Sequence, residues 1–126
     1  MPGGDGAAPP GMLKASVAAG RSGPVITLSG EADLTSAAQL GALLSAQLSD
    51  GTRELTIDVS GLRFADSASV RTLMLAARTL KDRDGSLVLL HPQRPVARVL
   101  ELTGAVHMFT VCRTPRSDPG QESSTE

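Results

Sequence analysis

Five short segments of the sequence have the hydrophobic pattern of β-strands. In some of them apolar residues alternate with polar ones, and in others they are continuous. The predicted strands are residues 13–19, 25–28, 55–59, 87–90 and 108–111. The first run alternates and predicts a half-buried strand. Turn residues separate it from the second run, so the two are predicted to form an antiparallel hairpin, with Gly30 ending the second strand. The fourth run is apolar on both faces, which predicts a central strand covered on both sides.

The segments between the later strands have the period of amphipathic helices. The first predicted helix begins at Thr35 or Ser36 and runs to about Ser49, with Leu40, Leu44 and Leu48 four residues apart. A third, shorter helix is predicted to begin at Pro95. The second helix has the clearest apolar stripe of the chain, formed by Val70, Leu73, Met74, Ala77 and Leu80.

The order of these elements is β-β-α-β-α-β-α-β, which predicts an α/β fold. Because strands alternate with helices after the opening hairpin, we expect a small mixed, mainly parallel β-sheet with helices packed on it. This domain should span residues 12–112. Residues 1–11 and 113–126 are rich in Gly, Pro and polar residues, and they are predicted to be disordered tails because they bury too little apolar surface.

Composition argues against several classes of function. The 126 residues include no Trp, no Tyr and only two Phe, which disfavours a surface for stacking nucleic-acid bases. Twelve basic and thirteen acidic residues give a net charge of -1, so nothing draws the chain toward nucleic acid or acidic membranes. The sequence contains no run of 18 apolar residues, and its N-terminus lacks the features of a signal peptide. We therefore expect a cytoplasmic protein.

Residues that commonly carry catalysis are few and poorly spaced. His91 and His107 lie sixteen positions apart in no metal-binding motif, and the chain has neither a GxSxG nor a GxxxxGK[ST] motif. Cys112 is the single cysteine, so it cannot form an intramolecular disulfide, and we interpret it as a small apolar residue ending the last strand. We expect a protein that is not an enzyme and that has no catalytic residue, metal site or cofactor.

One segment combines an acidic residue with hydroxyl residues at the start of the second helix. A loop containing Gly61 is predicted to follow the third strand and to lead to Asp66, Ser67 and Ser69. Asp and Ser are favoured as N-caps, which is one sufficient interpretation of the segment. The other is a regulatory site, because a helix N-terminus stabilises a phosphate, and a phosphate changes the charge of the surface around it.

Two further acidic residues are predicted to lie near this segment. Asp33 follows the second strand in the turn Gly30-Glu31-Ala32-Asp33, and Asp58 lies in the third strand. Because the carboxyl ends of parallel strands gather at one edge of a sheet, we expect Asp33, Asp58 and Asp66 to be close together.

The Gly30-Glu31-Ala32-Asp33 turn, the strand from residue 55 to 61 and the segment from residue 64 to 70 resemble the STAS domain of bacterial anti-sigma-factor antagonists. The resemblance covers residues 12–111 and extends to the order of elements. It implies a binding module whose partner is an anti-sigma factor, often itself a serine kinase, and whose binding frees a sigma factor. It also implies a phosphorylation switch, in which that kinase abolishes the contact and a phosphatase restores it.

The switch motif of the family is incomplete in this chain. The family phospho-acceptor is the second hydroxyl residue of Asp-Ser-Ser/Thr-Gly, and here Asp66 and Ser67 are followed by Ala68 and Ser69. Phosphorylation could therefore occur at Ser67 or at Ser69, or the switch could be lost. We expect the partner surface to include Asp33, Asp58, residues 66–69 and the outward face of the following helix. Arg71 and Arg78 on that face could contact an acidic partner, or they could simply be solvated surface residues.

Two alternative functions are compatible with the same segment. A nucleotide or another small anion could bind at the helix N-terminus, which would make the protein a sensing module. Alternatively, the domain could be one subunit of a larger sensory assembly, with the two tails as linkers.

Overall fold

The computed structural model describes residues 12–48 and 51–112, and this part of the chain has the predicted α/β fold and order of elements. The predicted tails, and the predicted end of the first helix at Ser49, lie outside the described residues. The strands are β1 (Lys14–Ala19), β2 (Pro24–Ala32), β3 (Glu54–Ala65), β4 (Ser86–Leu90) and β5 (Thr110–Cys112). The helices are α1 (Ala37–Leu48), α2 (Ser67–Asp82) and α3 (Arg94–Leu102), with a short 3-10 helix at Ala105–Met108.

The five strands form one mixed sheet in the order β1-β2-β3-β4-β5. β1 and β2 form the predicted antiparallel hairpin, with Val17 opposite Ile26. Every other neighbouring pair is parallel, and Ile57 of β3 lies between Ile26 of β2 and Leu89 of β4. β3 is therefore the central strand, and its backbone pairs with both halves of the sheet.

The hydrophobic core lies on one face of this sheet. Alternate residues of β2, β3 and β4 are buried there, and all three helices contribute side chains to the same cluster. Burying a leucine or isoleucine side chain contributes about 1.5–3 kcal/mol, so this layer is the main stabilising contact of the domain. The most completely buried side chains of the layer include Ile26, Leu28, Leu55, Ile57, Leu73, Leu80, Leu87, Leu89 and Leu100.

Two predictions about strand burial are wrong. β4 is an interior strand, paired with β3 and β5, but it is not covered on both sides, because Leu87 and Leu89 are buried while Val88 and Leu90 are only half-buried. β1 is not half-buried, since all six of its residues are exposed. The common reason is that the helices cover one face of the sheet and do not extend over its β1 edge.

The lengths of β2 and β3 also differ from the prediction. Gly30 does not end β2, which continues through Glu31 to Ala32, and the predicted loop at Gly61 is part of a β3 that runs to Ala65. The pairing of β2 with β3 shifts register twice along this extension, so β3 bulges and both strands continue as a two-stranded ribbon beyond β4.

Gly61 is required at the first of these register shifts. A Cβ atom at this position would lie 2.9 Å from the Cβ atom of Ser29 and 3.3 Å from the carbonyl oxygen of Leu28. Gly30, two residues before the end of β2, has a φ of 91°, a conformation that glycine adopts without strain. The glycines that were expected to break the strands instead allow the two strands to stay paired.

Candidate functional site

The ribbon of β2 and β3 ends where both chains turn into helices. Ala32 pairs with Ala65, and the backbone N–H of Asp66 donates to the carbonyl oxygen of Ala32 over 3.0 Å. Residues 32–36 and 64–69 therefore form one continuous surface, which we call the strand-end junction. Asp33 and Asp66 are brought together there, as the sequence predicted.

Asp66 is the N-cap of α2. Its backbone is extended, and its carboxylate oxygen Oδ1 accepts a hydrogen bond from the backbone N–H of Ser69 at 2.9 Å. The capping interpretation of this residue is therefore confirmed. An N-cap of this kind stabilises a protein by about 1 kcal/mol.

The three residues after Asp66 differ in their access to solvent. Ser67 is exposed and Ala68 is half-buried, whereas Ser69 is completely buried, with a relative exposure of 0%. The Ser69 hydroxyl donates to the carbonyl oxygen of Asp33 at 3.4 Å. This contact ties the start of α2 to the turn after β2, so Ser69 is an internal residue of the junction and Ser67 is its accessible hydroxyl.

Asp33 organises the turn between β2 and α1. Its Oδ1 accepts hydrogen bonds from the hydroxyl of Thr35 at 2.6 Å and from the backbone N–H of the same residue at 3.0 Å. Ser36 exchanges hydrogen bonds with the backbone of Asp33, donating through its hydroxyl to the carbonyl and accepting from the N–H. The hydrogen bond from the Thr35 hydroxyl is the main cause that lowers the pKa of Asp33. Asp33 is therefore a carboxylate at neutral pH.

Asp58 does not join this cluster, contrary to the prediction. It lies opposite Thr27, five residues before the end of β2, which corresponds to roughly 16 Å along the strand. Its Oδ1 accepts a hydrogen bond from the backbone N–H of Ser60 at 2.9 Å, next to the first register shift. The prediction failed because it placed the end of β3 at residue 59, when the strand continues to Ala65.

Two large apolar side chains flank the acidic residues of the junction. Leu34 is 73% exposed and Phe64 is 42% exposed, and each lies within two residues of Asp33 or Asp66. The hydrophobic pattern alone did not identify them, because a single apolar residue in a turn or strand normally points to the core. Arg63 and Glu31 form an ion pair at 3.8 Å beside them, both more than 40% exposed, and this pair contributes little to stability.

The outward face of α2 continues the same surface. Ser67, Arg71, Leu75 and Arg78 are exposed and lie on one side of the helix. Neither arginine forms an ion pair or hydrogen bond with any residue that the structure describes. The arrangement presents unpaired positive charges, one exposed leucine and two carboxylates, which is a surface suited to contact another macromolecule.

The described residues contain no group of three or more His, Cys, Asp and Glu side chains arranged to hold a metal ion. His91 follows β4 and donates its backbone N–H to the carbonyl oxygen of Cys112 at 2.8 Å, and Cys112 is exposed on β5. In the described ranges, no helix has both the length and the apolar character needed to cross a membrane.

A family model described as "Mlab, STAS domain" matches residues 15–110. The chain belongs to the STAS domain family. A protein of Bordetella bronchiseptica named "Putative anti-sigma factor antagonist BtrV" is 32% identical over 90 residues, which cover 71% of this chain and 78% of that protein. The resemblance seen in the sequence is therefore confirmed, and the relatives of this STAS domain are anti-sigma factor antagonists.

Solved structures show the same fold. The crystal structure of an anti-sigma factor antagonist from Mycobacterium paratuberculosis has a TM-score of 0.75 and 23% identity, and the match covers 94% of this chain and 98% of that one. The unphosphorylated form of SpoIIAA, a Bacillus protein, has a TM-score of 0.70 and 20% identity, with 90% and 98% of the two chains covered. SpoIIAA has also been solved in a phosphorylated form.

Proposed function

We propose that this STAS domain is an anti-sigma factor antagonist, which binds an anti-sigma factor of the serine-kinase type and so releases a sigma factor. The observation that carries the proposal is the strand-end junction, where the carboxylates of Asp33 and Asp66 lie beside the exposed side chains of Leu34 and Phe64. Exposed apolar side chains next to fixed charges suit a protein partner, because the apolar contacts give affinity and the charges give specificity. The name of the Bordetella relative supports the same function.

We also propose that the phosphorylation switch of the family is lost at its usual position in this chain. Ala68 has no hydroxyl to accept a phosphate, and Ser69 is completely buried against Asp33. Ser67 is the one hydroxyl of the motif that a kinase could reach without opening the start of α2. On this proposal the protein binds its partner constitutively, and a phosphatase is not needed to restore binding.

The switch is tested by restoring it. The wild-type protein and the variants Ala68→Ser and Ser67→Ala are each incubated with ATP and the kinase-type anti-sigma factors encoded in the same genome, and phosphate is mapped by mass spectrometry. We expect no phosphate on the wild type or on Ser67→Ala, and phosphate on residue 68 of Ala68→Ser with at least tenfold weaker binding. Phosphate on Ser67 of the wild type, absent from Ser67→Ala, would show that the switch has moved and is not lost.

A further inference from the structure

A groove runs between α1 and α2 on the side away from the sheet. The groove is open to solvent and has a volume of about 160 Å³, and a volume of about 150 Å³ is large enough to hold a benzene molecule. One leucine or phenylalanine side chain of another molecule would therefore fit. The groove is lined by Gly41, Leu44, Ser45, Leu48, Thr72, Leu75, Ala76 and Thr79.

The groove exists because small residues face each other across the two helices. Gly41 of α1 faces Thr72 of α2, and a Cβ atom on Gly41 would lie 3.6 Å from the Thr72 methyl carbon. Leu75 forms part of the rim and is 55% exposed, although it lies in the middle of a long and regular helix. Leu75 therefore extends the mostly apolar lining of the groove to the surface, where another protein can contact both together.

α1 differs from an ordinary surface helix. None of its twelve residues is charged, and its exposed positions carry only small or amide side chains. Surface helices normally carry charged residues opposite the core. The α1 side of the groove is therefore neutral and easily desolvated. The exposed residues of α1 are Ala38, Gln39, Ala42, Ser45 and Ala46.

Two arginines of α2 lie beside the groove, outside its lining and next to Leu75 on the rim. Arg71 and Arg78 lie one turn to either side of Leu75, and seven residues of helix separate them by about 10.5 Å along the axis. Both are exposed, and among the described residues neither has an ion-pair partner, including Asp82 one turn beyond Arg78. Two exposed guanidinium groups beside this rim favour an occupant with carboxylates at a matching separation.

We propose that the groove between α1 and α2 binds an acidic amphipathic helix of the partner protein. This rests on the proposed function, since the partner is the anti-sigma factor. One apolar side chain of that helix enters the groove beside Leu75, and two carboxylates about two turns apart contact Arg71 and Arg78. A second copy of this chain fits less well. Its own groove would place a neutral α1 and two further arginines against the first copy, and neither supplies the carboxylates that Arg71 and Arg78 favour.

The first test uses two synthetic peptides of 18 residues. Both are alanine-based helices with a leucine stripe, and one carries two glutamates seven positions apart where the other carries two lysines. Binding to the whole protein is measured by titration, with amide chemical shifts to locate it. We expect the glutamate peptide to bind at least tenfold more tightly and to shift residues of the groove, and Arg71→Glu/Arg78→Glu to reverse this preference. Equal binding of the two peptides, shifts located elsewhere, or no binding at millimolar concentration would overturn the proposal.

The second test uses the anti-sigma factor and a variant that fills the groove. Gly41→Leu places a side chain in the groove, and Ala42→Leu is the matched control because it adds a leucine at an exposed position of α1 outside the groove lining. We expect Gly41→Leu to weaken binding at least tenfold and Ala42→Leu to bind like the wild type. Unchanged binding by both Gly41→Leu and the double arginine variant would refute the groove while leaving the proposed function intact.

The remaining outcomes separate the two proposals. Selective binding of the glutamate peptide in the groove, with no binding of any anti-sigma factor, would support the groove and refute the proposed function. A dimer in sedimentation that Gly41→Leu dissociates would assign the groove to a second copy and overturn the inference. If Gly41→Leu does not fold, Leu75→Glu is used instead, because Leu75 is exposed and this position tolerates a charge.

Discussion

The proposed loss of the phosphorylation switch depends on four consecutive residues at the start of α2. Asp66 caps the helix, Ser67 faces solvent, Ala68 is half-buried and Ser69 is buried on the carbonyl oxygen of Asp33. The cap could be predicted because it depends on residues three positions apart. The burial of Ser69 could not, since its partner is 36 residues away in sequence.

Substitution can separate two properties of Asp66, the acceptor oxygen that caps α2 and the negative charge. Asp66→Ala removes the acceptor for the Ser69 N–H and should lower the free energy of unfolding by about 1 kcal/mol, which corresponds to roughly 4–8 °C in melting temperature. Asp66→Asn keeps an acceptor oxygen and removes the charge, so its thermal unfolding should match the wild type. A melting temperature that falls equally in both variants would show that the charge of Asp66, and not its cap, is what stabilises the domain.

The elements that shape the site are β2 and β3, and both are longer than local sequence signals indicated. Ser60 and Gly61 are residues typical of turns, so the sequence predicted a loop where the strand continues. Their role depends on the facing strand, because Gly61 lies against Ser29 and Leu28. This extension carries Phe64 to the junction and leaves Asp58 far from it. The apolar period of α2 was predictable because it is a property of the helix's own sequence, whereas its N-cap stayed open among Asp66, Ser67 and Ser69 until the structure identified Asp66.

The close approach of β3 to β2 leads to a prediction at the element scale. Gly61→Ala would place a methyl group 2.9 Å from the Cβ atom of Ser29, so the strands must move apart, and we expect a loss of about 1–3 kcal/mol in chemical denaturation. Gly41→Ala, in a helix with room for the methyl group, should instead gain about 0.5–1 kcal/mol. A second substitution, Ser29→Gly, should recover part of the stability lost in Gly61→Ala, and no recovery would count against this contact.

In the whole molecule, the helices cover one face of the sheet and leave the other face uncovered. The covered face holds the core, and its apolar period made the fold class predictable. The groove between α1 and α2 lies in the helix layer, and the strand-end junction lies where β2 and β3 lead into that layer. The sequence predicted the part of the junction formed by Asp33 and Asp66. It did not locate Leu34 and Phe64 on that surface, nor the groove, because the groove combines residues of two helices that meet only in the folded chain. The low aromatic content and near-zero net charge fit the proposed function, in which the protein acts through another protein.

On the proposed function, this STAS domain displaces a sigma factor by binding the anti-sigma factor at the strand-end junction. This is measured on a complex of a labelled sigma factor with its anti-sigma factor, by following the release of sigma in fluorescence anisotropy as the protein is added. We expect complete release, unaffected by ATP, and at least tenfold less effective release by Leu34→Asp, whose side chain is 73% exposed in the wild type and whose folding should be unchanged. A sigma factor that stays bound at saturating protein would refute the proposed function, and equal release by Leu34→Asp would refute binding at the junction.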